Sequence, residues 1–199
     1  MKAVLMSIQP KWCELIASGK KAVEVRKTKP KLETPFRVYI YCTKDNAFAE
    51  KTLRGFDANG KALYYKANKG KVIGEFVCDE ITEYEGEFYD DETQEYIKKV
   101  IHTTDWDGYP EIDYSFIAEN GEENSLCRSS CVSWEELRNY MGAGINAFFG
   151  WHIPDLVIYD KPRELSEFKR WVDRSKGQKY HEDMLCLQRP PQSWCYVEV

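Results

Sequence analysis

One short stretch concentrates the residues able to do chemistry: Gly19-Lys20-Lys21-Ala22-Val23-Glu24-Val25-Arg26. Its spacing sets a lysine at the mouth of a strand, then a carboxylate and a guanidinium two residues apart. On one face of a strand, positions i and i+2 stand about 7 Å apart. Lys21 and Arg26 carry the charge to hold phosphate, and an arginine does so through two parallel N–H donors. Glu24 can accept from a base amino group, such as cytosine N4 or adenine N6. It can equally serve as a general base. A third reading gives the segment no ligand: an exposed strand end with a surface Glu–Arg pair worth under about 1 kcal/mol.

The flanking sequence says what must position these groups. Ala3 to Ile8 reads as a strand. Pro10 suits the first turn of a helix, because its fixed φ fits and its missing N–H would be unpaired there. Trp12, Leu15 and Ile16 then form one apolar helical stripe. Gly19 is placed to end that helix in the left-handed conformation. From Ala22 to Arg26 the pattern alternates, with Val23 and Val25 on one face and Glu24 and Arg26 on the other, which predicts a half-buried strand. Arg37 to Cys42 and Lys71 to Ile81 are further β-rich runs, and Thr93 to Ile101 reads as a short helix. Ser133-Trp134-Glu135-Glu136 is a capping box that opens a helix striped by Trp134, Leu137 and Met141, with Gly142 and Gly144 to end it. Phe148 to Ile153 and Leu156 to Tyr159 read as strands. Pro162 opens a helical stretch with Leu165, Phe168 and Val172 at helical spacing, and Cys195 to Val199 closes the chain as a strand.

Short strands with a few helices, and no regular βαβ alternation, predict an α+β fold or a small barrel. No Gly-rich strand-to-helix turn is present, which removes the dinucleotide-fold and P-loop readings.

Composition narrows the classes further. The chain has 199 residues, 43% of them hydrophobic and 14% aromatic, which suits one domain with an insertion and a core of ordinary size. Mean hydropathy is −0.60, and the longest apolar run falls far short of the ~20 residues of a membrane span. The net charge of −5 excludes a strongly basic nucleic-acid coat protein. It also hides a dipole. Lys2, Lys11, Lys20, Lys21, Arg26, Lys27, Lys29 and Lys31 face only Glu14 and Glu24 early in the chain, whereas residues 79–123 are rich in carboxylates. A basic face of this kind can meet a polyanion even on an acidic molecule. The acidic region, about residues 83–125, is expected to be a surface insertion. The apolar opening Met1 to Ile8 is stopped by Gln9-Pro10-Lys11, unlike a signal peptide. Seven scattered cysteines read as reduced thiols, so the expected setting is the cytoplasm.

Weaker candidates each have an ordinary structural alternative. Trp12, Tyr39, Tyr41, Trp151 and Trp194 could stack bases, but most belong to the core. Gln192 carries the donor–acceptor pair needed to read a base edge. The alternative is a loop that ties down the last strand. Cys127-x-x-x-Cys131 resembles half a zinc site, but its spacing to His181, Cys186 or Cys195 matches no standard finger, so no metal is expected. His152 reads as a packed histidine, and no spacing suggests a catalytic triad.

Gly19, Lys21, Glu24 and Arg26 match the G-x-K-x-x-E-x-R motif of the ASCH domain, a member of the PUA-like superfamily. The opening Ser7-Ile8-Gln9-Pro10 to Ala17-Ser18 resembles the same family. So do Gly74-Glu75-Phe76, the Ser133–Tyr140 helix, Gly150-Trp151-His152-Ile153 and the Pro190-Pro191-Gln192-Ser193-Trp194 tail, which are similar to a bacterial and phage subgroup. The resemblance covers most of the chain except its acidic middle. It implies a single PUA-like domain over residues 1–199: a small β-barrel with surrounding helices and an acidic surface insertion. A cleft would be floored by the motif. It implies RNA, a nucleotide or a modified base as partner, no cofactor and no membrane. Carried over position by position, Lys21, Glu24 and Arg26 would line the cleft, with Glu75 a second carboxylate there; the chemistry of the tail residues themselves adds Gln192, Ser193 and Trp194 as ligand-binding candidates. Some family members are hydrolases. Amidohydrolases acting on N4-acetylcytidine carry a threonine nucleophile where this chain has Glu24, so an enzymatic role would need Glu24 or Glu75 as base and Lys21 as electrostatic stabiliser. Whether the chain is an enzyme stays open at the level of sequence.

Overall fold

Strands dominate the structure, a computed structural model that describes residues 2–44, 52–56, 62–66, 70–85, 88–90, 95–97, 101–102, 111–112, 125–141, 147–176, 181 and 185–198. In chain order the strands are β1 (Lys2–Ile8), β2 (Val23–Arg26), β3 (Phe36–Cys42), β4 (Thr52–Phe56), β5 (Ala62–Lys66), β6 (Lys71–Cys78), β7 (Ile81–Glu85), β8 (Phe88–Asp90), β9 (Glu95–Ile97), β10 (Ile101–His102), β11 (Glu111–Ile112), β12 (Ala147–His152), β13 (Val157–Arg163) and β14 (Trp194–Glu198). The α-helices are α1 (Pro10–Ala17), α2 (Ser125–Ser130) and α3 (Trp134–Met141). The chain divides into two units. The first holds residues 1–20, 35–79 and 153–199, and the second holds residues 21–34 and 80–152.

In the first unit a five-stranded sheet runs in the order β13-β6-β3-β1-β14. β1 lies parallel to β3 and antiparallel to β14, and it is flanked on both edges. Its run Ala3-Val4-Leu5-Met6 is wholly buried. That explains its unbroken apolar sequence, since a strand covered on both faces has no polar side to alternate with. Ala3, Leu5, Tyr39, Val72 and Phe168 share one core cluster. Pro10 starts α1, and the chain leaves it through Gly19 at φ +74. Gly74 on β6 is required for a different reason. A Cβ there would stand 2.4 Å from the Val157 carbonyl oxygen of the neighbouring strand.

The second unit has its own five-stranded sheet, β11-β10-β7-β12-β2. β2 is its edge strand, paired antiparallel to β12 with Glu24 opposite Trp151. Val25, Tyr84, Leu126, Leu137, Met141 and Phe148 form its core. α3 opens on the expected capping box: Glu136 N–H donates to Ser133 Oγ at 3.2 Å, and Ser133 N–H donates to Glu136 Oε2 at 3.1 Å.

Several expectations change. The sheet-rich architecture with few helices holds, but no sheet closes into a barrel among the described residues. Most of the acidic region 83–125, and the glycines after α3, lie outside the described residues. Within that region the helix expected at Thr93 to Ile101 gives way to strand β9, which pairs with β8. The helix expected after Pro162 is also absent. β13 runs through Pro162 to Arg163, which is permitted because β13 is an edge strand and needs no donor on its outer side. A single 3-10 turn, Leu165–Glu167, follows. Leu165 and Phe168 are buried as their spacing requires, because three residues complete a 3-10 turn as well as they approximate an α-turn.

Candidate functional site

β2 differs from its expected half-buried form. Glu24 and Arg26, assigned to an outward face, are buried together with Val25, and Lys21 just before the strand is only 2% exposed. The reason lies in what covers them. The Ala22 N–H donates to the Ser129 carbonyl at 2.8 Å, so the C-terminal end of α2 is tied to the approach to β2. Lys21 Nζ donates to the Ser130 carbonyl at 2.5 Å. It also lies 3.3 Å from Glu24 Oε2, while Arg26 Nη2 lies 2.9 Å from Glu24 Oε1. Two cations therefore converge on one buried carboxylate. This is not the weak surface pair that was one reading of the sequence.

The cluster is incompletely satisfied. Glu24 Oε2 is ion-paired with Lys21 but accepts no hydrogen bond among the described residues, and the fully buried Ser130 Oγ has no partner among them either. A buried polar atom left unsatisfied costs about 1–3 kcal/mol. Both atoms belong to residues that bond the Lys21 ammonium.

Tyr140 of α3 feels the charges of this cluster. Its oxygen accepts a hydrogen bond from the Lys27 backbone N–H. Burial pushes its phenol above the ordinary pKa, the Arg26 charge pulls it down and the Glu24 charge pushes it up. The residue is nevertheless 40% exposed, with the Lys27 ammonium over its ring, 4.8 Å from the centroid. Neither Ser130 nor Tyr140 was foreseen as a site residue. Ser130 lies 109 positions from Lys21 and contributes a main-chain carbonyl, for which no sequence signal exists. Tyr140 follows Leu137 at i+3, the spacing of the apolar stripe itself, so periodicity did not set it apart.

The other candidates belong to the first unit. Glu75 sits on β6 opposite Tyr39, and both its oxygens are engaged. Arg37 Nη1 lies 3.0 Å from Oε1, and the Tyr159 hydroxyl donates to Oε2 at 2.5 Å. Burial, and then that bond to Glu75, push the Tyr159 phenol far above its usual range. In the tail, Ser7 Oγ donates to the Pro191 carbonyl at 2.7 Å and Ser7 N–H donates to the Ser193 carbonyl at 2.8 Å. The segment therefore ties the last strand to β1. Trp194 begins β14, half-buried and edge-on to Tyr196 at 5.3 Å, and Gln192 is exposed. Trp151 is fully buried, as a core residue should be. The described residues contain no cluster of three or more His, Cys, Asp or Glu side chains placed to hold a metal. They also contain no helix long and apolar enough to cross a membrane.

Comparison with known proteins bears on this geometry. No curated protein matches the chain. Among solved structures, a tyrosine-to-phenylalanine variant of the ASCH protein of Zymomonas mobilis is similar in fold, with a TM-score of 0.52 at 17% identity over 100% of this chain and 91% of that one. The unsubstituted protein of the same organism aligns with a TM-score of 0.49 at 16% identity over 98% of this chain and 87% of that one. The model of the ASCH domain matches residues 6–124, a stretch that contains Lys21, Glu24, Arg26 and Glu75 but neither Ser130 nor Tyr140. With the motif at the start of β2 and the match spanning more than half its length, the chain belongs to the ASCH domain family and shares that family's PUA-like fold.

Proposed function

We propose that this ASCH domain binds RNA, or a nucleotide or modified base, at the Lys21–Glu24–Arg26 cluster. The observation that carries the reading is the buried Glu24 oxygen Oε2, which is aligned by a cation yet accepts no hydrogen bond among the described residues. A base amino group supplies the missing donor, and one well-made contact of this kind is worth about 1–3 kcal/mol of discrimination. Arg26, whose side chain is the least buried of the three, reaches phosphate. Lys21 is held by Ser130 and fixes the carboxylate rather than touching the ligand. The general association of ASCH domains with nucleic acid supports the same reading.

The test is binding of a fluorescently labelled single-stranded RNA by wild type, Arg26→Lys, Arg26→Ala and Glu24→Gln, with circular dichroism to verify folding and mass spectrometry to follow product. Wild-type affinity should fall with rising salt, as phosphate contact requires. Arg26→Ala should weaken it about tenfold or more, and Arg26→Lys less. Unchanged affinity in folded Arg26→Ala would overturn the reading. Product formed by wild type and lost in Glu24→Gln, with binding retained, would instead make the site hydrolytic and Glu24 its base.

A further inference from the structure

We propose that the Lys21–Glu24–Ser130 cluster of the second unit holds one resident water molecule, which donates to Glu24 Oε2 and is bonded by Ser130 Oγ. The inference stands without the function proposed above. Where both hold, the ligand's donor takes over the bond to Oε2 and displaces this water.

Three observations carry it. The first is the serine itself. Other serine hydroxyls find a carbonyl: Ser7 bonds Pro191, Ser18 bonds Leu15 at 3.0 Å and Ser129 bonds Leu126 at 3.2 Å. A helical serine commonly bonds the carbonyl one turn back. For Ser130 that is the Leu126 carbonyl, which the Ser129 hydroxyl already uses. Ser130 has no surface open to solvent, and its Oγ has no partner among the described residues. Buried polar atoms are almost always bonded, to protein or to ordered water. The second observation is Glu24 Oε2, a buried acceptor that takes no hydrogen bond among the same residues. The third is that one ammonium joins the two residues. Lys21 Nζ donates to the Ser130 carbonyl at 2.5 Å and lies 3.3 Å from Glu24 Oε2.

Charge decides what the molecule is. Lys21 and Arg26 already set two positive charges on one carboxylate, so a further cation is repelled. An anion has no proton to offer Oε2. A neutral molecule that both donates and accepts suits the pair, and water is the smallest. Oε2 and Oγ are two of the roughly two to four partners a buried water takes. The water then completes a set of ties between the end of α2 and β2. The Ser129 carbonyl takes the Ala22 N–H, the Ser130 carbonyl takes Lys21 Nζ, and the water links the Ser130 side chain to Glu24.

The experiment is a crystal structure of the wild-type protein at a resolution that orders waters, paired with NMR cross-relaxation between water and amide protons in solution. One water should lie within about 3 Å of both Ser130 Oγ and Glu24 Oε2. The amide protons around Ser130 and Ala22 should show cross-peaks with the sign of a long-lived water. Ser130→Ala, verified as folded by circular dichroism, should weaken those cross-peaks severalfold, and Ser130→Thr, which keeps the hydroxyl, should retain them. Ser130 Oγ bonded directly to Glu24 or to another protein group would overturn the proposal. So would a water that reaches only one of the two atoms, or cross-peaks undiminished in folded Ser130→Ala. If Ser130→Ala does not fold, the wild-type crystal structure decides alone. Failure of the protein to bind RNA would overturn the function proposed above and leave the water in place.

Discussion

Two carboxylates, one in each unit, make the instructive comparison. Glu75 is partly exposed on the open sheet of the first unit, and each of its oxygens has a partner, one in Arg37 and one in the Tyr159 hydroxyl. Glu24 is buried in the second unit between Lys21 and Arg26, and one of its oxygens lacks a hydrogen bond among the described residues. Sequence alone ranks them together as possible bases. Their surroundings separate them. A satisfied carboxylate at a sheet surface crosslinks strands. An under-satisfied carboxylate in a buried cationic cluster leaves an acceptor that the described residues do not fill.

The largest expected effect is on stability at Glu24. Glu24→Ala leaves two buried cations without their shared counter-charge and should cost about 3–5 kcal/mol in urea unfolding, since breaking a buried ion pair strands its partners. Glu75→Ala should cost less, about 1–2 kcal/mol, because Arg37 is already 46% exposed and can turn to water. Equal losses at the two sites would abolish the distinction between them.

A pH measurement sharpens the Glu75 side. The Tyr159 phenol titrates above its ordinary value near 10.0 in the folded state. The unfolded chain therefore releases this proton first, and stability should decline as pH rises past 10. Tyr159→Phe should remove that dependence, and in Glu75→Gln the tyrosine absorbance titration should move back toward the ordinary range. An unmoved titration would mean that Glu75 is not the partner.

The caps of the two units supply the smaller effects. Ser133→Ala removes the N-cap of the helix that carries Tyr140 and should cost about 1 kcal/mol. In the first unit the Glu164 N–H donates to Glu167, which also pairs with Arg163, and both hold its carboxyl below the usual value of 4.5. Its contribution is present above that pH and is lost as pH falls through the lowered value. The group is exposed, so the loss should stay below about 1 kcal/mol. An acid unfolding curve that is unchanged in Glu167→Gln would exclude any contribution.

Local rules were readable wherever the physics is local. Pro10 opening a helix, Gly19 closing it at positive φ, the Ser133–Glu136 box and the uninterrupted apolar run of β1 each depend on a few neighbouring residues, and each stands as read. Readings failed where two structures share a spacing. Leu165 and Phe168 suit a 3-10 turn as well as an α-helix, and within the run expected to be helical Glu95–Ile97 is a strand that pairs with β8.

By itself the sequence determined the family, the sheet-rich class and the grouping of Lys21, Glu24 and Arg26, because motif spacing and apolar periodicity are properties of the chain. Only the tertiary structure decided that this grouping is buried, and that the Ser130 carbonyl holds Lys21. Burial and partnership depend on segments more than a hundred residues away. No pattern within the motif records whether a helix end will come to rest over a strand edge.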